Sequence, residues 1–173
     1  MAIHIIIDGY NLIRQSAELA GLDRQDLQLG RDALVDTLAA YKRFKPHQIT
    51  VVFDGTAEPS LYGPRDRAKG IAIRYSHGGE SADDVIRKMA RRERAKALVV
   101  SSDREVMAAA ESAGATVMDS AAFEDKLAMA RYLTLKGGGD VDESAGWVPT
   151  TRKKGPSRRL PKSKRKARAR VKK

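Results

Sequence analysis

Cysteine is absent from all 173 residues. That excludes disulfides, thiolate nucleophiles and cysteine-ligated zinc, and it fits a reducing compartment. Long apolar runs are missing too. None approaches the ~18 residues that a membrane span needs, so no membrane association is expected. The opening residues Met1-Ala2-Ile3-His4-Ile5-Ile6-Ile7-Asp8 lack the basic start of a secretion signal, and their short apolar run ends in a carboxylate. Several catalytic signatures are also missing. There is no Walker A sequence and no Gly-x-Gly-x-x-Gly after a strand, and Gly137–Gly139 follows a helical stretch, where it reads as a linker. No Gly-x-Ser-x-Gly elbow is present for a serine hydrolase. An aspartyl phosphatase wants a second aspartate two positions after the first, and Tyr10 stands there. His4, His47 and His77 show no metal-ligand spacing and read as surface or packing residues. His77 stands apart only because it precedes the Gly78-Gly79-Glu80 loop.

Acid is missing from one long segment. Residues 152–173 hold thirteen Lys/Arg and no Asp or Glu, whereas residues 1–151 carry 20 basic and 22 acidic side chains. The net charge of +11 therefore describes the tail and not the body. A mildly acidic body with a basic tail points to a polyanionic partner reached through the tail. The expected division is a domain over 1–136, a linker over 137–151 and a basic nucleic-acid-binding tail over 152–173. Beyond about 140 the composition is rich in Gly, Pro, Ser, Lys and Arg, as in disordered segments. Trp147 is the exception there, a candidate tether or base-stacking residue.

What is present is an alternation of two patterns. Short β-branched runs at 3–7, 49–53, 71–75, 98–100 and 115–118 read as strands buried on both faces. Helical spacing fills the stretches between them. Leu34, Leu38 and Tyr41 share a face over 32–44, and Val85, Ile86 and Met89 point inward over 81–94, where Arg87, Arg91 and Arg94 share another face. A third helix over 103–113 ends at Gly114, a suitable C-terminal glycine. A fourth over 119–135 carries Phe123, Leu127 and Ala130, with Asp119 or Ser120 as its cap. Strands alternating with helices predict an α/β fold with a central, mainly parallel sheet.

In such sheets ligands bind outside the carboxyl ends of the strands. Three predicted strands run into an aspartate there: Asp8 follows Ile7, Asp54 follows Phe53, and Asp103 follows Val100-Ser101-Ser102. Asp83, in the cluster Glu80-Ser81-Ala82-Asp83-Asp84, opens a helix that can face the same edge. Converging carboxylates repel one another and raise each other's pKa. A hard divalent cation, Mg²⁺ or Mn²⁺, relieves that conflict and supports hydrolysis of a phosphodiester. The simpler reading of each aspartate is a turn former or helix cap. Asp103 before Arg104-Glu105-Val106 fits that role, as do Asp83 and Asp84 at a helix start.

Four segments carry a family resemblance: Ile6-Ile7-Asp8-Gly9-Tyr10-Asn11-Leu12-Ile13, Val51-Val52-Phe53-Asp54-Gly55, Glu80-Ser81-Ala82-Asp83-Asp84-Val85-Ile86 and Val99-Val100-Ser101-Ser102-Asp103. In this order, over about residues 3–135, they resemble the YacP-like NYN-domain proteins, relatives of the PIN and flap nucleases. The tail lies outside the resemblance. It implies a PIN-like three-layer sandwich and Mg²⁺- or Mn²⁺-dependent endoribonuclease activity in the cytoplasm. Some members look ribosome-associated and cut messenger RNA during translation. Carried over by position, Asp8, Asp83 and Asp103 match the metal-binding acids. Asn11 matches a polar residue that orients an acid or a substrate phosphate, Asp54 matches the Phe-Asp-Gly acid of flap-type relatives, and Ser102 matches a small polar neighbour of the last acid. Whether Asp84 is also a ligand stays open, since flap-type relatives use adjacent aspartates.

The expected RNA contacts are Arg65, Arg67 and Lys69, on a loop or short helix after the second strand, together with Arg158, Arg159, Lys164, Arg165 and Lys166 in the tail. A solvated charged surface is the plain alternative for the first three. Cations without acids give salt-sensitive, sequence-independent affinity. The rival functions are an RNA- or ribosome-binding protein on a nuclease fold, a toxin-type nuclease with a structured RNA target, and a small-molecule phosphatase.

Overall fold

The computed structural model describes residues 2–55 and 65–136. The expected linker and basic tail, with Trp147, Arg158, Arg159, Lys164, Arg165 and Lys166, lie outside the described residues, as does the side chain of Arg65. The elements in order are β1 (His4–Asp8), α1 (Gly9–Gln15), α2 (Ala17–Gln25), α3 (Leu27–Phe44), β2 (Gln48–Phe53), β3 (Arg65–Ala68), β4 (Ile71–Tyr75), α4 (Ala82–Glu93), a 3-10 turn Arg94–Lys96, β5 (Ala97–Val100), α5 (Arg104–Ser112), β6 (Thr116–Met118) and α6 (Ser120–Leu135).

The strands form one sheet in the order β3-β4-β2-β1-β5-β6. All neighbours are parallel except β3, which runs antiparallel to β4. Because successive side chains on a strand point to opposite faces, β1 sends Ile5 and Ile7 into one core and Ile6 into the other. The first core joins them to Leu12, Leu34, Leu38, Val51, Phe53, Phe123 and Leu127, from α1, α3, β2 and α6. The second joins Ile6 and Val52 to Val85, Ile86, Met89 and Val106, from α4 and α5. The result is the three-layer α/β sandwich, with a mainly parallel sheet, that the alternating pattern predicts.

Two expectations are corrected, and two helices are added. Residues 65–68 form the edge strand β3 rather than a loop or helix. Its sequence Arg-Asp-Arg-Ala carries no apolar alternation, and main-chain pairing with β4 alone places it in the sheet. Helices α1 and α2 were not legible, because α2 buries only Leu19 and α1 spans seven residues. Burial on both faces holds for β1 and β2 but not for β4, whose Ala72 and Arg74 are partly exposed, nor for β6, whose Thr116 is exposed as befits an edge.

The chain direction explains where the site lies. From β1 it leaves toward the α1 side of the sheet, and from the neighbouring β5 toward the α5 side. Two adjacent parallel strands whose connections go to opposite faces open a crevice at their carboxyl ends. Asp8 and the segment Ser101-Ser102-Asp103 stand at that point.

Candidate active site

Asp8 ends β1, and α1 begins at the next residue. Its carboxylate caps that helix, accepting the Asn11 N–H over 3.5 Å. The turn is tight because Gly9 lies against the core: a Cβ there would stand 2.3 Å from Phe53 Cε1 and 2.9 Å from Val51 Cγ1. Asp103 likewise caps α5, its Oδ1 accepting from Glu105 N over 2.8 Å and Val106 N over 3.2 Å. Ser101 joins the two acids. Its hydroxyl donates to Asp8 Oδ2 over 3.3 Å and accepts the Asp103 N–H over 3.1 Å.

Asn11 fastens the neighbouring segments. Its side-chain oxygen accepts from Ser102 N over 2.8 Å and from the Ser120 hydroxyl over 2.6 Å, tying α1 to the β5–α5 turn and to the start of α6. Asp54 extends from β2 and accepts from the buried Ser76 hydroxyl over 2.8 Å. Gly55 makes this approach possible, since a Cβ there would meet the Ser76 carbonyl oxygen at 2.2 Å.

Together Asp8, Asp54, Asp83 and Asp103 line one cleft of about 240 Å³, with Tyr10, Asn11 and Arg14. Burial pushes the Asp8 carboxyl up to about 6, and the charges of Asp83 and Asp103 add to the rise. The hydrogen bonds from Asn11 and Ser101 oppose it. Asp83 is raised as well, first by burial and then by the charge of Asp103, with Arg87 opposing. These acids sense one another through the cleft. Among the described residues, however, no three His, Cys, Asp or Glu side chains are gathered tightly enough to form a ready-made metal cage.

Adjacent aspartates have different tasks. Asp84 completes a capping box on α4, its Oδ2 accepting from Ser81 N over 3.1 Å and from the Ser81 hydroxyl over 3.0 Å. Those bonds hold its carboxyl below the usual range. Asp83 has no such engagement and lines the cleft.

Ser101, Tyr10 and Arg14 join the site without a motif signal of their own in the sequence. The Ser102 hydroxyl is buried without a hydrogen-bond partner, while Ser101 touches Asp8. Tyr10, Asn11 and Arg14 share a helix face at the spacing of adjacent turns, a signal that only appears once α1 is recognised. Tyr10 is itself braced from behind. Its hydroxyl accepts from the Nε of buried Arg31 over 3.0 Å, and a second guanidinium N–H also reaches it. The Arg31 guanidinium lies 5.6 Å from the Tyr10 and Phe53 ring centres and 5.4 Å from that of Tyr75.

The cations expected beside the site are only partly there. Lys69 stands in the β3–β4 turn, at the amino end of β4 and so at the opposite edge of the sheet from the cleft, where it pairs with Asp36. Arg67 lies on β3, at the sheet edge. Arg87 pairs with Glu105 at 3.7 Å. His4 is at the far end of β1, hydrogen-bonded to Thr50 over 2.8 Å and buried, so it serves packing. Among the described residues no helix is long and apolar enough to cross a membrane.

The family model of the YacP-like NYN domain matches residues 5–166. The match therefore runs on past 135, where the motif-based resemblance ended. The uncharacterized protein YacP of Bacillus subtilis (strain 168) is 27% identical over 86 residues, 50% of this chain and 50% of its own. The chain thus spans about half the length of the curated relative it matches. The crystal structure of Rae1 (YacP) from Bacillus subtilis matches with a TM-score of 0.65 at 23% identity, over 79% of each chain. A single-substitution variant of it matches with the same TM-score at 21% identity, over 79% of this chain and 80% of its own. These likenesses carry the fold, and the match of the family model over most of the sequence carries the rest: the chain belongs to the YacP-like NYN domain family.

Proposed function

We propose that the protein is a divalent-metal-dependent endoribonuclease whose site is the cleft of Asp8, Asp54, Asp83 and Asp103. The observation that carries this reading is a half-buried carboxyl, Asp8, raised to about 6 in a cleft shared with three more aspartates. Uncompensated acid at the switch point of a parallel sheet is an arrangement that a cation relieves.

Asp8, Asp83 and Asp103 would hold the metal. Their hard oxygen donors fit Mg²⁺ or Mn²⁺, and Mg²⁺ keeps several waters while it takes one or two carboxylates directly. Such an ion, when bound, supplies an activated water and charge neutralisation at a phosphodiester. The protein's own residues then have the work of placement. Ser101 holds Asp8 and the Asp103 turn in fixed relation, and Asn11 holds α1 against that turn. Arg14, on the rim, offers a cation to a phosphate. Tyr10, held at its hydroxyl by Arg31, lines the cleft beside Asn11.

We assign residues 1–136 to the nuclease domain, 137–151 to a linker and 152–173 to an RNA-holding tail. The thirteen cations of the tail support sequence-independent binding to RNA. Ribosome-associated cleavage of messenger RNA in the cytoplasm is the substrate setting we favour from family membership.

The test is cleavage of a labelled single-stranded RNA, free and on ribosomes, with Mg²⁺ or Mn²⁺ and then with chelator, for wild type and Asp83→Asn. Metal-dependent cutting that the variant loses supports the reading. Cutting retained by the variant moves the site elsewhere. RNA binding with no cutting in any arm favours a non-catalytic binding protein.

A further inference from the structure

The described residues cover only half of the α4 side of the sheet. Helix α4 packs on β1, β2 and β5, and α5 packs on β5 and β6. Among the described residues no helix lies over this face of β4, so Ala72 and Arg74 stay partly exposed. The gap is a trough of about 650 Å³. Arg74 lines it from β4, and Lys88 and Arg92 line it from α4, with Val85 and Met89 between them. Positions 85, 88, 89 and 92 form one stripe at helical spacing. Arg67 sits directly opposite Ala72 across the antiparallel β3–β4 pair, so it shares the face of Arg74. Among the described residues that line the trough, only Glu80 brings negative charge. It pairs with Lys88, and Arg92 pairs with Glu93; the two cations are exposed, while their carboxylates are partly buried.

The trough and the cleft share a helix. Asp83 in the first turn of α4 faces the cleft, and Arg92 lies nine positions on, roughly 13 Å along the axis at ~1.5 Å per residue. We propose that this trough is a second nucleic-acid subsite, which holds the phosphates of a single strand extending away from the cleft. As a track for the strand that the cleft would cut, it rests on the nuclease reading above. The occupant is a polyphosphate backbone because the walls offer separated cations on both sides of a groove, with an apolar floor of Val85 and Met89 that accepts sugar and base edges.

The experiment is equilibrium binding of a fluorescent 12-nucleotide single-stranded RNA to the full chain in chelator, across a salt series. Three proteins are compared: wild type, Lys88→Glu with Arg92→Glu, and a control of equal charge change on the other side of the sheet, Arg24→Glu with Lys126→Glu. Thermal melts verify that each is folded. The trough variant binds about tenfold or more weakly, and its salt slope falls by about 1.4, at roughly 0.7 for each single-strand phosphate that is no longer neutralised. The control changes much less, and a dinucleotide, too short to reach Arg92, binds all three alike. Equal weakening of both variants, or of neither, overturns the proposal. Displacement of the RNA from the trough by polyglutamate of similar length at equal strength also overturns it, in favour of an acidic protein segment. Cleavage with Mg²⁺ is read separately. Wild type that binds through the trough but never cuts refutes the nuclease reading and leaves the trough. Wild type that cuts, with the salt slope of the trough variant unchanged, does the reverse.

Discussion

The Ser101 hydroxyl donates to Asp8 Oδ2 over 3.3 Å while it accepts the backbone N–H of Asp103 over 3.1 Å. One small side chain, fully buried, thus fixes two acids, one at the end of β1 and one at the start of α5. Replacing it with alanine removes a hydrogen bond that favours the ionised form of Asp8, so the Asp8 carboxyl moves further up from about 6. It also leaves the Asp103 N–H without its partner, at a cost of about 1–3 kcal/mol. The acid limb of the pH–rate profile for RNA cleavage therefore moves to higher pH in Ser101→Ala, and Ser101→Thr restores most of it. Side-chain carboxyl NMR titration of Asp8 in chelator gives the same shift directly.

Asp8 also makes stability depend on pH. Its unfolded value is 3.8 and its folded value about 6. Between the two, the folded state binds more protons than the unfolded state, so stability falls as pH rises through this window, and the whole penalty is present above pH 6. The difference corresponds to roughly 3 kcal/mol. In chelator, Asp8→Asn melts higher than wild type at pH 8, and the gap closes below about pH 4. Added Mg²⁺ or Mn²⁺ raises the wild-type melting temperature above pH 6 and leaves Asp8→Asn little changed. A variant that melts lower than wild type at pH 8 would contradict this account.

Asp83 and Asp84 are neighbours with separable roles. Asp84→Ala removes the reciprocal half of the capping box and lowers stability, while RNA cleavage per folded molecule stays near wild type. Asp83→Asn leaves the melting temperature near wild type or slightly higher and removes metal-dependent cleavage. Urea denaturation together with the cleavage assay on both variants decides it. Matching activity losses in the two would mean that the capping carboxylate is a ligand as well.

Gly9 is required by space. In Gly9→Ala the new Cβ would lie 2.3 Å from Phe53 Cε1 and 2.9 Å from Val51 Cγ1. Relief needs movement of α1 or of Phe53, at a cost of about 1–3 kcal/mol. Because Asp8 and Asn11 flank that position, cleavage falls by more than the loss of folded protein explains. Comparing the urea midpoint with the rate per folded molecule separates the two effects. Gly21→Ala, where a Cβ meets nothing within 4 Å, serves as the neutral control.

Hydrophobic period alone was enough to determine five strands, four helices, their alternation and hence a parallel sheet with acids at its carboxyl edge. These signals are local: Ile5 and Ile7 need only a strand's alternation to face one core, and Leu34 and Leu38 only a helix's turn. The sequence also determined the strongly basic segment, since charge composition does not depend on folding. What it left open depends on contacts between residues far apart in the chain. Strand β3 exists because the main chain of Arg65–Ala68 pairs with β4, and its side chains carry no mark of that. Ser101 rather than Ser102 reaches Asp8 because β1 and β5 are neighbours in a fixed register, which decides which of two adjacent serines faces the strand end. Asp84 turns to the cap and Asp83 to the cleft because α4 begins at Ala82. Lys69 falls at the edge opposite the cleft because an antiparallel strand reverses direction, and only the sheet shows that reversal. Arg31 finds Tyr10, Phe53 and Tyr75 across 21 or more positions of sequence. Tertiary structure decided all of these for one reason: a side chain's partner is set by which strands lie side by side, and that order, unlike period or charge, is not written in any single stretch of residues.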